Sequence, residues 1–367
     1  MHQTSLECVT TKTRLSSDEM KAVWRAAAQF DDSLVIPQGL LGALAKKRVI
    51  PTSFSRTRLF LRMARCESSL FWDFPVKPRR CHSRFPLSTL LSELLSGLPS
   101  STRARVRKEN YNEFLPIPSV LDRWARAKSV FGVTDLHYIG TRFDARISTA
   151  ALNDFNLLPR GTDGFQSQDS LVISSAGALT DSHSDDHSGS NHSFLGTKLW
   201  LLWDTLDGLK HGLEDVERCQ IHHRAAFELR TFLALPSSCW ILIGPGQTMF
   251  IPAHLTHKVI TLEPYLGLGS FHAGLPGFVD LLKRWNQLPP LWASRSRRPN
   301  RCSVDFLTRR AIRRIRSLTT ASRRERRHWG VPHLQWRLRQ PDVNNSDPND
   351  FAIPDNLREF ISAAARL

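Results

Sequence analysis

T-D-S-H-S-D-D-H-S-G-S-N-H-S-F-L-G-T-K, residues 180–198, is the stretch whose reading decides the fold. Its centre is an H-x-D, His183-Ser184-Asp185. Further along, F-I-P-A-H-L-T-H-K-V-I-T (250–261) carries His257. Two imidazoles and one carboxylate form the ligand set of a facial triad, which holds Fe(II) on one side and leaves the other positions open. On a strand, side chains at i and i+2 share a face, so His183 and Asp185 can reach one ion. The third ligand then has to come from a strand lying across from them, and a barrel whose inward positions converge on one cavity supplies that arrangement. An H-x-D alone is weak, because the same three residues occur in polar loops. A rival H-x-x-x-H, His183 to His187, fails as a zinc-protease motif. That motif needs a helix and a Glu beside the first His, whereas Ser184 stands there and the continuation is rich in Ser and Gly.

Context raises the weight of the triad. Thr180 precedes it, and Lys198 lies on F-L-G-T-K-L-W-L-L-W (194–203), which alternates poorly and reads as a buried strand. W-I-L-I-G-P-G-Q-T-M-F-I-P (240–252) reads as strand, turn, strand. Taken together, T-x-x-H-x-D, then N-x-x-x-x-x-x-K, then P-G-x-T-x-F-I-P, then H-x-V resembles the JmjC domain. The resemblance covers about residues 130–275. It implies an iron- and 2-oxoglutarate-dependent oxygenase on a double-stranded β-helix, the jelly-roll or cupin barrel. By that resemblance His183, Asp185 and His257 hold Fe(II). Lys198 meets the distal carboxylate of 2-oxoglutarate, Thr180 donates to the same carboxylate, and Asn191 adds a co-substrate contact. Two departures stand out. Ser182, Ser184, Asp186 and His187 flank the H-x-D where family members have apolar or aromatic neighbours. Also, G-L-G-S-F-H-A (267–273) lacks the polar residue that others aim at the co-substrate, and Ser270 or His272 is the expected substitute.

The fold class expected is α+β, a double-stranded β-helix flanked by helices. Residues 1–130 are expected to form a mainly helical region packing on the barrel. Residues 131–275 form the JmjC-like barrel with a helical insert at 204–236, and residues 276–367 form a basic helical region. Within the first region, Ser16 and Glu19 have capping-box spacing ahead of Met20, Val23, Trp24 and Ala27 at helical spacing. Residues 86–98 read as a leucine-faced helix, S-T-R-A-R-V-R-K (101–108) as a basic linker, and residues 120–131 as a helix closed by Gly132. Strands are expected at 135–139, 145–149 and 171–175, and two short helices inside 204–236.

Composition narrows the function classes. A hydrophobic content of 41% fits a globular chain, and no long apolar run suggests a membrane span or a secretory leader. Six scattered cysteines without a C-x-x-C point to reduced thiols. Neither Cys66, Cys81 and His82 nor Cys219, His222 and His223 has the further ligands a zinc site needs. Net charge is +16, and arginine dominates residues 295–327, which fits either a solvated helix face or contact with nucleic acid or chromatin. The expected activity is oxidation of a protein side chain, first of all demethylation of methyl-lysine on histones in the nucleus, with the cytoplasm as second location. The alternatives are hydroxylation of protein or RNA at the same site, and a non-catalytic scaffold serving as a transcriptional cofactor.

Overall fold

A computed structural model describes residues 9–10, 12, 14–49, 70–72, 92–93, 95–96, 98–99, 101–107, 112–126, 129–136, 156–158, 169–185, 188–213, 227–253, 255–287, 301–340 and 355–367. The chain begins with helix α1 (Ser17–Ala28), a 3-10 turn (Asp32–Leu34) and α2 (Leu41–Lys47). Ser16 caps α1 through the Glu19 amide, and the Glu19 carboxylate accepts from the Ser16 amide, so both ends of the expected capping box are made. The first strands are β1 (Leu70–Trp72), β2 (Arg103–Arg107) and β3 (Asn112–Pro116), followed by α3 (Ile117–Ala125). Then come β4 (Gly132–Leu136), β5 (Asp169–Ser174), β6 (Leu179–His183), β7 (Ser188–Leu195) and β8 (Lys198–Asp204). Helices α4 (Thr205–Lys210) and α5 (Leu229–Ala234) interrupt the strands. β9 (Cys239–Ile243), β10 (Thr248–Ile251), β11 (Leu255–Thr261) and β12 (Tyr265–His272) complete them. The rest is helical: α6 (Leu275–Gln287), α7 (Arg301–Leu318), α8 (Arg323–His328), α9 (Val331–Leu338) and α10 (Asp355–Ala364).

The strands form two antiparallel sheets, so the class is α+β. The larger has the order β1-β10-β7-β12-β5-β4-β2-β3 and the smaller β6-β11-β8-β9. From β5 onward the chain alternates between large and small sheet through β8, stays in the small sheet for β9, and alternates back. Trp200, Leu202, Ile241, Ile243, Leu255 and Val259 of the small sheet share one core with Met249 and Ile251 of the large one. Among the described residues no backbone ladder joins the two sheets into the expected closed barrel. They are held instead by interdigitating side chains, as two packed layers are.

The small sheet is covered on its other face as well. Leu199, Leu201 and Trp203 of β8, with Trp240 and Leu242 of β9, pack against Met20, Val23, Trp24 and Ala27 of α1. A strand buried on both faces has no polar side to show, which is why K-L-W-L-L-W does not alternate. On the outer face of the large sheet, Val120, Leu121 and Trp124 of α3 meet Val133, Leu171, Ile173, Leu266 and Leu268. The Trp124 indole donates to the Ser174 carbonyl at 2.9 Å. The C-terminal helices bury Phe278, Leu307, Ile315, Leu334 and Phe360 together with Phe250 of β10. Arg337 of α9 is locked on Asp280 of α6 by Nε contacts of 2.9 and 2.8 Å, a buried pair whose halves cannot be lost singly without leaving a bare charge.

Three local expectations are revised. The basic stretch 103–107 is a strand, because Ala104 and Val106 alternate inward beneath α3 while Arg103 and Arg105 point away. The helix expected at 120–131 starts at Ile117 and ends at Ala125. Phe131 and Val133 leave it for the sheet core, and Gly132 opens β4 instead of closing a helix. The run through Phe194 to Trp203 is two strands joined at Gly196. That glycine has a φ of +76°, and a Cβ there would strike the Pro264 carbonyl. The expected strand at 145–149 and most of the leucine-faced helix at 86–98 lie outside the described residues, as do Cys66, Cys81, His82, Cys219, His222 and His223. Among the described residues no helix is long and apolar enough to cross a membrane.

Candidate metal centre

His257 sits directly opposite His183 in the β11–β6 ladder, and opposite Leu202 in the β11–β8 ladder. Cross-strand partners share a face, so both histidines look into the space between the sheets. Their ring centroids are 4.1 Å apart. His183 is the last residue of β6, and Asp185 follows beyond the strand end. The Asp185 carboxylate lies 3.9 Å from His257 Nε2. One ligand atom from each of His183, Asp185 and His257 lies within 4.8 Å of the other two, so the three could hold a metal ion.

The tautomers suit that use. His183 Nδ1 lies 2.8 Å from the Asp181 carbonyl, and His257 Nδ1 lies 3.1 Å from the Leu255 carbonyl. A carbonyl only accepts, so each Nδ1 carries a proton and Nε2 is the ring atom left to face a metal. Burial, and then the charge of His183 nearby, pushes His257 well below the usual imidazole range. It is therefore neutral at pH 7, the form a metal requires. The centre is graded in depth: the His257 side chain is 4% exposed and that of Asp185 24%. The more exposed ligand, Asp185, lies just beyond the C-terminal end of β6.

Thr180 reaches the same face only through a bulge. His257 pairs with His183, but Val259, two residues on, pairs with Thr180, three residues back. The extra residue on β6 restores Thr180 to the His183 side, where a regular strand would have turned it away. Lys198 opposes Thr261 of β11 in the adjacent ladder. With Trp200 and Leu202 it forms the inward set of β8. It is buried, and its ammonium lies 4.2 Å from the centroid of the Tyr265 ring. No carboxylate among the described residues pairs with it. Burial lowers its pKa to about 7. Asn191 approaches from the facing sheet, where its Oδ1 accepts from the Tyr265 hydroxyl.

Two residues of this pocket were not singled out from the sequence. Tyr265 links Asn191 to Lys198 and is fully buried, with its hydroxyl pKa pushed up by burial. Gly267 makes room for it, since a Cβ there would collide with the Tyr265 hydroxyl. Trp200 lies 5.5 Å from His257, ring to ring, and its buried indole N–H has no partner among the described residues. A tyrosine followed by glycine at alternate positions, Tyr265, Gly267 and Gly269, was the available signal.

Ser270 and His272 do not serve as co-substrate contacts. Asn191 pairs with Gly269 and with Met249 of the inter-sheet core, so the odd-numbered residues of β12 face inward. Ser270 and His272 face the other way. There His272 Nε2 lies 2.9 Å from Ser190 Oγ and its ring stacks near Phe250, with burial lowering its pKa to about 3. His187 and His254 lie outside the described residues. No protein-family model matches the chain, and no curated protein sequence matches it.

Proposed function

We propose that this chain is an Fe(II)- and 2-oxoglutarate-dependent oxygenase of JmjC type that oxidises a protein side chain. The observation that carries the proposal is one inward face of the small sheet with two chemistries on it: the His183, Asp185, His257 cluster, and the buried Lys198, which has no counter-charge among the described residues. The first set suits a divalent metal with open positions. The second suits a small dianion, because an ammonium held in a dry pocket is costly until an anion joins it. The strand alternation supports the finer reading of the fold as a double-stranded β-helix, since two interleaved Greek keys alternate between sheets in this way.

When bound, iron with 2-oxoglutarate and dioxygen supplies oxidation of a C–H bond, and on an N-methyl group the hydroxylated product sheds formaldehyde. The chain's own residues hold and shield. His183 and His257 present Nε2, each ring fixed through Nδ1 to a backbone carbonyl. Asp185 brings the negative charge that offsets the metal's. Lys198 and Thr180 offer donors to a carboxylate, and Tyr265 and Asn191 brace the far wall. Trp200, Ile243, Met249 and Val259 keep water from the inner side. His183 and Asp185, the partly exposed ligands at the end of β6, are the side from which a substrate side chain would approach. The substrate proposed is a methyl-lysine on a histone.

The test is turnover of 2-oxoglutarate to succinate by purified protein with Fe(II) and ascorbate, without and then with methylated histone peptides. The expected result is Fe(II)-dependent succinate that His257→Ala lacks, with formaldehyde released from one peptide set. Succinate at the level of the His257→Ala protein would reject catalysis and favour a scaffold. Succinate without formaldehyde on any peptide would move the substrate to a hydroxylated side group.

A further inference from the structure

Helix α7 has two unlike sides. Leu307, Ala311, Ile312, Ile315 and Leu318 are buried in the C-terminal core. The other side is arginine. Residues 301–339 contain twelve arginines, two acids and no lysine. The buried side explains why the helix forms. It does not explain why the outer side concentrates like charges at three- and four-residue spacing, which destabilises a helix.

A hollow of about 340 Å³ lies on this surface, lined by Arg310, Arg313, Arg314 and Ser317 of α7 with Trp329 and Asn156. No carboxylate lines it among the described residues. Arg314 lies 4.1 Å from the Trp329 ring centroid and has a distant carboxylate partner in Glu325 at 3.9 Å. Arg310 and Arg313 have no carboxylate partner among the described residues. Burial first, and then the charges of Arg313 and Arg314, lower the Arg310 pKa. Exposed Arg309 and Arg316 carry the row along α7, although Asp305 and Glu359 flank them. Exposed Arg323, Arg324 and Arg327 continue it onto α8.

The hollow also has a definite relation to the metal centre. Asn156 donates to the Phe271 carbonyl and accepts from the Ala273 amide, at the end of β12. His272 there pairs with Ser188, the first residue of β7, three residues after Asp185. The hollow and the partly exposed side of the metal centre therefore lie at the same end of the strands.

We infer that the α7–α8 arginine surface, with the Arg310–Arg313–Arg314 hollow as its anchor, binds the phosphate backbone of a nucleic acid. Guanidinium forks grip phosphate oxygens in pairs, and a surface built from arginine without lysine is suited to that geometry. The row is longer than one anion needs, so it fits a strand carrying a phosphate on every residue. The buried Trp329 holds the Arg314 fork in place by stacking.

The test uses the full chain without iron, so its failure and that of the oxygenase reading are separable. Anisotropy of labelled single-stranded RNA, the matching DNA strand and a duplex is followed between about 50 and 200 mM salt. Binding is expected to weaken linearly on a log-log plot. Joint replacement Arg309→Gln, Arg310→Gln, Arg313→Gln should lower affinity at least about tenfold and reduce the slope by about two. Lysine at the same three positions should restore the salt slope but only part of the affinity, because it keeps the charge and lacks the fork. Arg25→Gln, Lys46→Gln, Arg230→Gln, which removes three exposed cations elsewhere, should change little. The inference is overturned if the α7 glutamine variant binds like the parent, if the two triple variants weaken binding equally, or if no nucleic acid binds at the lowest salt. It is also overturned if a polyglutamate peptide competes as well as nucleic acid at equal charge, which would make an acidic peptide the partner.

Discussion

Fe(II) is expected to bind the His183→Ala protein more than about a hundredfold more weakly than the parent, since even residues that only orient a ligand cost ten- to a hundredfold. His183 is the cleanest of the three positions for this test. It closes β6 and is half-exposed, so its loss opens no sealed cavity and the fold should stay intact. His257→Ala should lose the metal equally, but from a site buried on all sides, and should lower the melting temperature as well. Asp185→Asn keeps the shape and removes the charge, and should fall between parent and His183→Ala. Anaerobic metal titration by calorimetry, with the melting temperature of each variant alongside, checks the series. Fe(II) affinity in all three variants close to that of the parent would mean that the cluster does not hold the metal.

The second large effect is expected at Lys198. A hydrogen bond to a charged group is worth about 1.5–3 kcal/mol, so Lys198→Met should raise the 2-oxoglutarate Kd by about ten- to a hundredfold. Its Fe(II) affinity should not change, because Lys198 is not one of the clustered ligands. Its melting temperature should not fall, because the substitution fills the same space and removes a buried amine that has no anionic partner among the described residues. That combination separates a binding role from a structural one. Titration of the amine adds a pH signature. With a pKa of about 7 in the free protein, Lys198 is largely neutral above that pH. A carboxylate binds the ammonium, so co-substrate binding above pH 7 must take up a proton. The Kd should then rise by up to about tenfold per pH unit from 7 to 9 and stay level below 7. Calorimetry at pH 8 in two buffers of different ionisation enthalpy measures the uptake. A value near zero, or a Kd independent of pH, would contradict the account.

What could be read from the sequence was what depends on neighbours along the chain. The capping box at Ser16 and Glu19 and the strands at 240–243 in the small sheet and 248–251 in the large one are local patterns, and they form where expected. So is the spacing of His183 and Asp185. His257 could be found because its H-x-V follows P-G-x-T-x-F-I-P in the order the resemblance implies. The rest depended on which elements meet. Thr180 is three residues from His183, and only the bulge against β11 puts both on one face. Tyr265 acquires a role because Asn191 and Lys198 come from two other strands, one in each sheet. Ser270 or His272 is the substitute the resemblance suggests for a co-substrate contact in 267–273, but the strand's parity turns both to the other face of the sheet. In β2 the alternation of Ala104 and Val106 was present, and the three arginines between and beside them masked it.

The most direct measurement of the central claim is an anaerobic titration of the parent protein with Fe(II) and then 2-oxoglutarate, followed by visible absorption. The account predicts a metal-to-ligand charge-transfer band that grows to one equivalent of iron. The band should be absent in His183→Ala and should need about ten- to a hundredfold more 2-oxoglutarate in Lys198→Met. A well-folded parent protein with no band at saturating iron and co-substrate would contradict it, and would leave two packed sheets with an arginine-covered helix as a binding protein without this chemistry.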